Sequence, residues 1–424
     1  MTTTNKLQFL LVGCICGLGG YFFGAHQVNV EWANYKPSVS IINKEPPTGA
    51  PNDFSLFWSV YDKLNREYYN KKILDPQKQV YGAISGMVQS VGDPYTMFLP
   101  PAQNANFQQQ MAGAFSGIGA ELGLASDNKT IIVIAPLEGS PAQKAGVKEG
   151  DAIVKVEGQS IAGWTLPQTV EKIRGPKGST INLTVLHKAD KTTQDLAIKR
   201  DTITVKSVAG WVKKIKDIVP ISDSLKNSSK NDESIMYLRL SEFGDNTNKD
   251  WTTVVTKLRA EMQKNGNVKG GILDLRDNPG GFLTDATFIA GEFLPQDTPV
   301  VIEDDGNGNT QTLSVNRQGQ LLNIPLVVLI NGGSASASEI VSGALRDQRK
   351  TKLIGDKSFG KGTVQEAVDL GAGSSVHITI AKWLTPNGTW VHGKGLTPDV
   401  SVALDPKNPT QDNQLEKAIE TLIN

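Results

Sequence analysis

The residues of this 424-residue chain whose types and spacing could do chemistry fall on two glycine-rich turns. The first reads Asn331-Gly332-Gly333-Ser334-Ala335-Ser336-Ala337-Ser338-Glu339, the second Ser358-Phe359-Gly360-Lys361-Gly362-Thr363-Val364-Gln365. A hydroxyl on one small-residue turn and an amine on another are what a serine hydrolase needs when lysine replaces imidazole as the base. Ser336 and Lys361 are the expected dyad. Spacing by itself leaves Ser334, Ser336 and Ser338 all open as the nucleophile, because the three alternate. The apolar residues Ile340, Val341, Ala344 and Leu345 mark a helix over 338–349 for which Ser338 is a suitable N-cap. Ser336 then lies in the turn just ahead, where the helix dipole and N–H groups favour developing negative charge.

A lysine amine titrates near ~10.4, and lowering that by about three units takes roughly 4 kcal/mol of destabilised charge, which burial supplies. Glycines on both sides of Lys361 let backbone crowd the amine, and Gln365, four residues on, can hydrogen-bond and orient it. A further turn, Asp277-Asn278-Pro279-Gly280-Gly281, offers the N–H groups of Gly280 and Gly281, which together with that of Ala337 would form an oxyanion hole.

Two rivals use some of the same residues. Gly355 to Lys361 fits the phosphate-loop pattern G-x-x-x-x-G-K, but Gly362 stands where the magnesium-binding Ser or Thr belongs, and Thr363 to Leu370 reads as a strand instead of a helix. His377 and His392 leave a Ser-His mechanism formally open, while His187 falls on an expected strand and His26 beside an apolar N-terminal run. Histidines and carboxylates show no metal-ligand spacing, so no metal or cofactor is expected.

The elements that must position these turns are legible. Buried strands Gly271 to Leu275 and Leu326 to Ile330 are each followed by a turn and a helix, at 282–294 and 338–349, which predicts an α/β core with parallel neighbours. Sites in such sheets collect beyond the carboxyl ends of the strands, where the turns at Asn278 and Asn331 lie. Over 115–203 the texture changes to short β-branched runs punctuated by Gly139-Ser140-Pro141-Ala142, Ala145-Gly146-Val147 and Gly150-Asp151, with a helix expected over 167–173. Ahead of it, Phe54, Phe57, Trp58, Tyr61 and Leu64 recur at helical spacing, and a second helix is expected from Asp75-Pro76, burying Val80, Ile84 and Val88. The aromatic stripe fits internal packing or a homo-oligomer face. Lys213 to Glu233 is polar and reads as an insertion or long loop.

Forty-three Lys plus Arg balance 43 Asp plus Glu, so no global field invites nucleic acid. Leu7 to Ala25 carries no charge and approaches the roughly 20 residues that span a bilayer. A membrane anchor over 1–26 is expected, with a cleaved signal or a lipoprotein box at Cys14 as alternatives, a linker over 27–52, and the remainder outside the cytoplasm. Cys14 and Cys16 are the only cysteines, so the rest of the chain holds no disulfide.

The texture over 113–204 resembles a PDZ domain. Ser116-Gly117-Ile118-Gly119 would be its carboxylate-binding loop, with a peptide adding as a strand beside it. Together with Gly92-Asp93-Pro94-Tyr95-Thr96, Leu275-Arg276-Asp277-Asn278-Pro279-Gly280-Gly281 and the two chemical turns, the chain resembles the carboxy-terminal processing proteases, the S41 serine peptidases. The two expected helices make a helical module over 53–112, and the resemblance implies a PDZ domain over 113–204 and an S41 core over 205–424. It further implies that Ser336 is the nucleophile, Lys361 the general base and Gln365 its support. Protein substrates with free C-termini are implied as partners, and an inert peptide-binding adaptor is the alternative.

Overall fold

The computed structural model of the chain describes residues 28–33, 36–41, 53–125, 129–137, 139–188, 190–204, 206–404 and 411–424. The expected membrane anchor therefore lies outside the described residues. No helix among those described is long and apolar enough to cross a membrane. Contacts divide the chain into two compact units, the chain up to Ala105 with Val364–Ala381, and Asn106–Thr363 with Lys382–Asn424.

In the first unit, strands Val28–Ala33 and Lys36–Ile41 pair antiparallel, so part of the expected linker is regular structure. Helices Ser55–Glu67 and Pro76–Gln89 follow. The second starts where Asp75-Pro76 predicts, because the Asp75 carboxylate caps it by accepting the N–H groups of Gln77 and Lys78 at 2.9 and 3.3 Å. Its apolar face is less covered than expected. Val88 is buried, but Val80 is 47% exposed, and Ser55–Glu67 buries no residue, with Trp58 60% exposed. Internal packing does not explain that aromatic stripe. Strand Met97–Leu99 pairs antiparallel with Ser374–Leu384, Phe98 opposite Val376.

The second unit holds two sheets of direct functional interest. One runs Thr193–Lys199, Thr180–Leu186, Ala152–Val156, Ile131–Pro136, Ala120–Leu124, with Ala120–Leu124 at its edge. Ile131, Val133, Ile153, Ile181, Leu183 and Val185, alternate residues on these strands, form its core. Helix Leu166–Ile173, with a capping box between Thr165 and Gln168, packs on the edge strand.

The other sheet orders Val208–Lys214, Ser234–Leu240, Val268–Asp274, Leu326–Ile330, Lys352–Gly355 and Val400–Ser401. Only its first pair is antiparallel; the central strands are parallel, Gly271 opposite Leu326 and Val327 opposite Lys352. Both strand-turn-helix units of the α/β core are present, with helices Leu283–Ala290 and Ala337–Arg349 after the turns. Residues 213–233 are not a loose insertion. Ile215, Ile218, Ile221 and Leu225 are buried against Ile235, Ile272 and Val327, so four apolar residues dispersed among lysines and serines build one wall of the core.

Candidate active site

The turns after strands Val268–Asp274 and Leu326–Ile330 emerge side by side because those strands are parallel neighbours. They are stitched together: Asn331 donates from Nδ2 to Asp277 Oδ1 at 2.8 Å, and its Oδ1 accepts the Asp277 N–H at 2.9 Å. Gly333 makes the approach feasible, since a Cβ there would lie 2.8 Å from Asp277 Cα.

The three serines separate by what their hydroxyls touch. Ser334 is fully buried and donates to the Leu275 carbonyl at 2.8 Å while accepting the Asn331 N–H at 3.0 Å. Ser338, also fully buried, donates to the Asn278 carbonyl at 2.9 Å. Both are spent on holding the two turns together. Ser336 is only half-buried and sits at φ 53°, ψ −116°, a backbone region that costs an L-residue of order 1–3 kcal/mol. The helix begins at Ala337 with Ser336 in the N-cap position, so Ser338 lies inside the first turn and is not the cap. Ser336 thus stands directly at the positive end of a 13-residue helix.

Lys361 is brought to the same place by a residue to which spacing assigned no role. The Glu339 carboxylate is fully buried and accepts the N–H of Ser336 at 2.9 Å, the N–H of Lys361 at 2.9 Å, the N–H of Gly360 at 2.7 Å and the Ser358 hydroxyl at 2.6 Å. One side chain therefore ties the Ser336 backbone to the Lys361 backbone. The signal for it is the S-x-x-E spacing of Ser336 and Glu339, a capping-box pattern hidden by placing the cap at Ser338.

On its other side the lysine turn is gripped by Trp383, whose Nε1 donates to the Lys361 carbonyl at 2.9 Å and whose N–H donates to the Gly362 carbonyl at 3.1 Å. Gly360 and Gly362 are required here by close approach. A Cβ on Gly360 would lie 2.7 Å from Gly395 N, and one on Gly362 2.8 Å from His392 N. His392 itself stacks on Trp390 at 5.2 Å, and His377 lies on the strand Ser374–Leu384 in the first unit. The segment after Lys361 is strand Thr363–Gly371, which removes the helix that a phosphate loop requires.

Gly280 lies against Ser336: a Cβ on it would be 2.8 Å from Ser336 Cβ and 2.9 Å from Ala337 N. Its own N–H, however, donates to Asn278 Oδ1 at 2.9 Å, and Asn278, fully buried, is anchored by donating to the Leu240 carbonyl at 2.8 Å. Ala337 is fully buried at the helix start, and Gly281 has φ 142°. Beneath the turn, Arg276 donates to both oxygens of Asp274, and to Asp412 at 2.8 and 2.9 Å. Burial alone would raise the Asp274 pKa, but the Arg276 hydrogen bonds and charge, with the Tyr237 hydroxyl at 2.6 Å, hold it below the ordinary carboxylate range.

Ahead of edge strand Ala120–Leu124, half of the expected carboxylate loop is strand, in a separate two-stranded pairing. Ser116 and Gly117 pair with Thr202 and Asp201, and the Ser116 N–H donates to Gln109 Oε1 at 3.3 Å. Ile118 and Gly119, in no regular element and with Gly119 at φ +72°, lead into the edge strand Ala120–Leu124. A sheet edge beside a helix is the arrangement that accepts an added peptide strand.

Comparison with known proteins places these features. Residues 234–402 match the family model described as peptidase family S41, and residues 108–186 match the PDZ domain. The carboxy-terminal processing protease CtpA of Bacillus subtilis is 35% identical over 365 residues, covering 86% of this chain and 72% of that protein. The carboxy-terminal processing protease CtpB of the same organism is 36% identical over 392 residues, covering 91% and 75%. Among solved structures, a candidate S41 protease from Bacteroides fragilis superposes with a TM-score of 0.53 at 19% identity, covering 90% of this chain and all of that one, a likeness of fold.

Proposed function

The chain belongs to the carboxy-terminal processing proteases of peptidase family S41, and from that premise we propose that it is a Ser-Lys endopeptidase, anchored in a membrane through Leu7 to Ala25 and acting outside the cytoplasm. The observation that carries the dyad is the Glu339 carboxylate, which accepts the backbone N–H groups of Ser336 and Lys361 together. Ser336 Oγ attacks the scissile carbonyl and Lys361 Nζ takes its proton. The tetrahedral intermediate collapses with transfer of that proton to the leaving amine, and water, activated by the same amine, releases the acyl group from Ser336. Ala337 and Gly281 supply N–H donors to the oxyanion, the Gly280 N–H being held by Asn278, and Gln365 supports the amine.

The substrate is a protein with a free, apolar C-terminus. Its tail adds as a strand along Ala120–Leu124, with the carboxylate directed to Ile118 and Gly119. The test is cleavage of an unfolded protein with an apolar C-terminal tail, followed by mass spectrometry, with Ser336→Ala and Lys361→Ala as controls. Cleavage by the wild type alone supports the peptidase. Tail binding without cleavage by any of the three supports the inert adaptor.

A further inference from the structure

Gly92-Asp93-Pro94-Tyr95-Thr96 takes no part in the chemistry above, yet in the first unit its carboxylate is the origin of a chain of hydrogen bonds that ends on Gln365. Asp93 Oδ1 accepts the Tyr95 N–H at 3.0 Å, and Oδ2 accepts the Thr96 hydroxyl at 2.7 Å and the Thr379 hydroxyl at 2.5 Å. The Thr379 N–H donates to Thr96 Oγ1 at 3.1 Å, so Thr379 is held through both its backbone and its side chain. Gln365 Nε2 then donates to Thr379 Oγ1 at 3.0 Å.

Proton bookkeeping fixes the polarity of this chain. An ionised carboxylate has no proton to give, so the single hydroxyl proton of Thr379 lies toward Asp93. Thr379 Oγ1 is left with lone pairs only toward Gln365. The amide atom facing it must be the nitrogen, and Oε1 is turned away.

We propose that Asp93 and Thr379 are positioning residues that lock the Gln365 amide with its oxygen as the acceptor for the catalytic amine. This inference rests on the reading of Gln365 as the support of Lys361. An amide oxygen accepts from a lysine ammonium and holds it as it gains the Ser336 proton. A rotated amide presents its NH₂ group instead, which opposes the ammonium and engages the amine lone pair needed for proton abstraction.

The test measures kcat and KM of the full chain against pH on a quenched-fluorescence peptide ending in free apolar residues. The variants are Gln365→Ala, Thr379→Val, Thr379→Ser, Asp93→Asn and the double variant Gln365→Ala/Thr379→Val. Thr379→Val is expected to lower kcat about tenfold at constant KM and to move the acid limb of the kcat profile to lower pH. Thr379→Ser restores both, and in the Gln365→Ala background Thr379→Val adds nothing. A crystal structure of Thr379→Val reports the amide directly and is expected to show it rotated. If Thr379→Val costs the same with or without Gln365, or if the amide keeps its orientation in that crystal, the positioning role is overturned while the reading of Gln365 stands. Wild-type kcat in Gln365→Ala alone would remove that reading and this inference with it.

Discussion

The Glu339 carboxylate accepts the backbone N–H of Lys361 at 2.9 Å, across a separation of 22 residues, while the same oxygen accepts the N–H of Ser336 at 2.9 Å. Glu339→Gln offers one acceptor oxygen where four donors converge and brings an NH₂ group against N–H groups. Buried hydrogen bonds to a charged partner contribute roughly 1.5–3 kcal/mol each, so we expect this isosteric change to cost about 3 kcal/mol in denaturant unfolding. Cleavage is expected to fall at least 100-fold. Wild-type turnover in Glu339→Gln would show that the tie does not set the dyad.

Gly280→Ala tests the turn beside Ser336. Gly280 adopts φ +94°, and the added methyl would meet the Ala335 carbonyl at 2.7 Å and Ser336 Cβ at 2.8 Å. Strain of this kind is about 1–3 kcal/mol, and a methyl pressed against Ala337 N displaces the proposed oxyanion donor, whose loss lowers kcat by roughly 100-fold or more. The expected result is a protein destabilised by about 1–3 kcal/mol, with kcat reduced to about a hundredth and KM little changed; an unaltered kcat would remove the turn from the oxyanion site.

Helix Asn413–Ile423 is joined to the turn after strand Val268–Asp274 through Asp412, which caps that helix by accepting the Leu415 N–H at 2.9 Å and also receives Arg276. Asp412→Ala removes the cap and half of the Arg276 pairing. We expect a loss of about 3 kcal/mol, the usual effect of breaking one side of a buried ion pair. Equal denaturation midpoints for the variant and wild type would argue that the network is idle.

His187 is expected to make the sheet that ends on Ala120–Leu124 sensitive to pH. Its Nε2 faces Gln194 Oε1 and its Nδ1 faces Asp151 Oδ2, both at 2.8 Å, and these hydrogen bonds, Gln194 first, raise its pKa above the ordinary value against the opposing effect of burial. Asp190 adds a smaller attraction. A folded-state pKa above the unfolded one contributes stability that is complete below about pH 6.5 and is lost as pH rises through the folded value. Hydrogen exchange in strand Thr180–Leu186 should therefore quicken above neutral pH beyond its intrinsic dependence. His187→Gln should abolish that excess; if the excess persists in the variant, its source lies elsewhere.

Local signals were legible because they depend on neighbours in the chain. Asp75-Pro76 marks a helix start through capping and the fixed proline φ, and strands Val268–Asp274 and Leu326–Ile330 read as parallel because they are apolar on both faces. Residues 213–233 misled because four buried apolar side chains there are scattered among polar ones with no period to detect. The exposed stripe of Ser55–Glu67 has helical spacing either way, since periodicity records a common face and not what covers it.

The sequence alone determined the two turns, their glycines and the presence of a serine, a lysine and a glutamine suited to acyl transfer, since each follows from residue type and short-range spacing. Which serine hydroxyls are claimed by backbone carbonyls was decided only in three dimensions. The carbonyls that claim Ser334 and Ser338 belong to Leu275 and Asn278, about 60 residues away in the chain, and reach them only because two parallel strands end together. Hydrogen bonding depends on where atoms converge, and the pairing of distant strands sets that convergence.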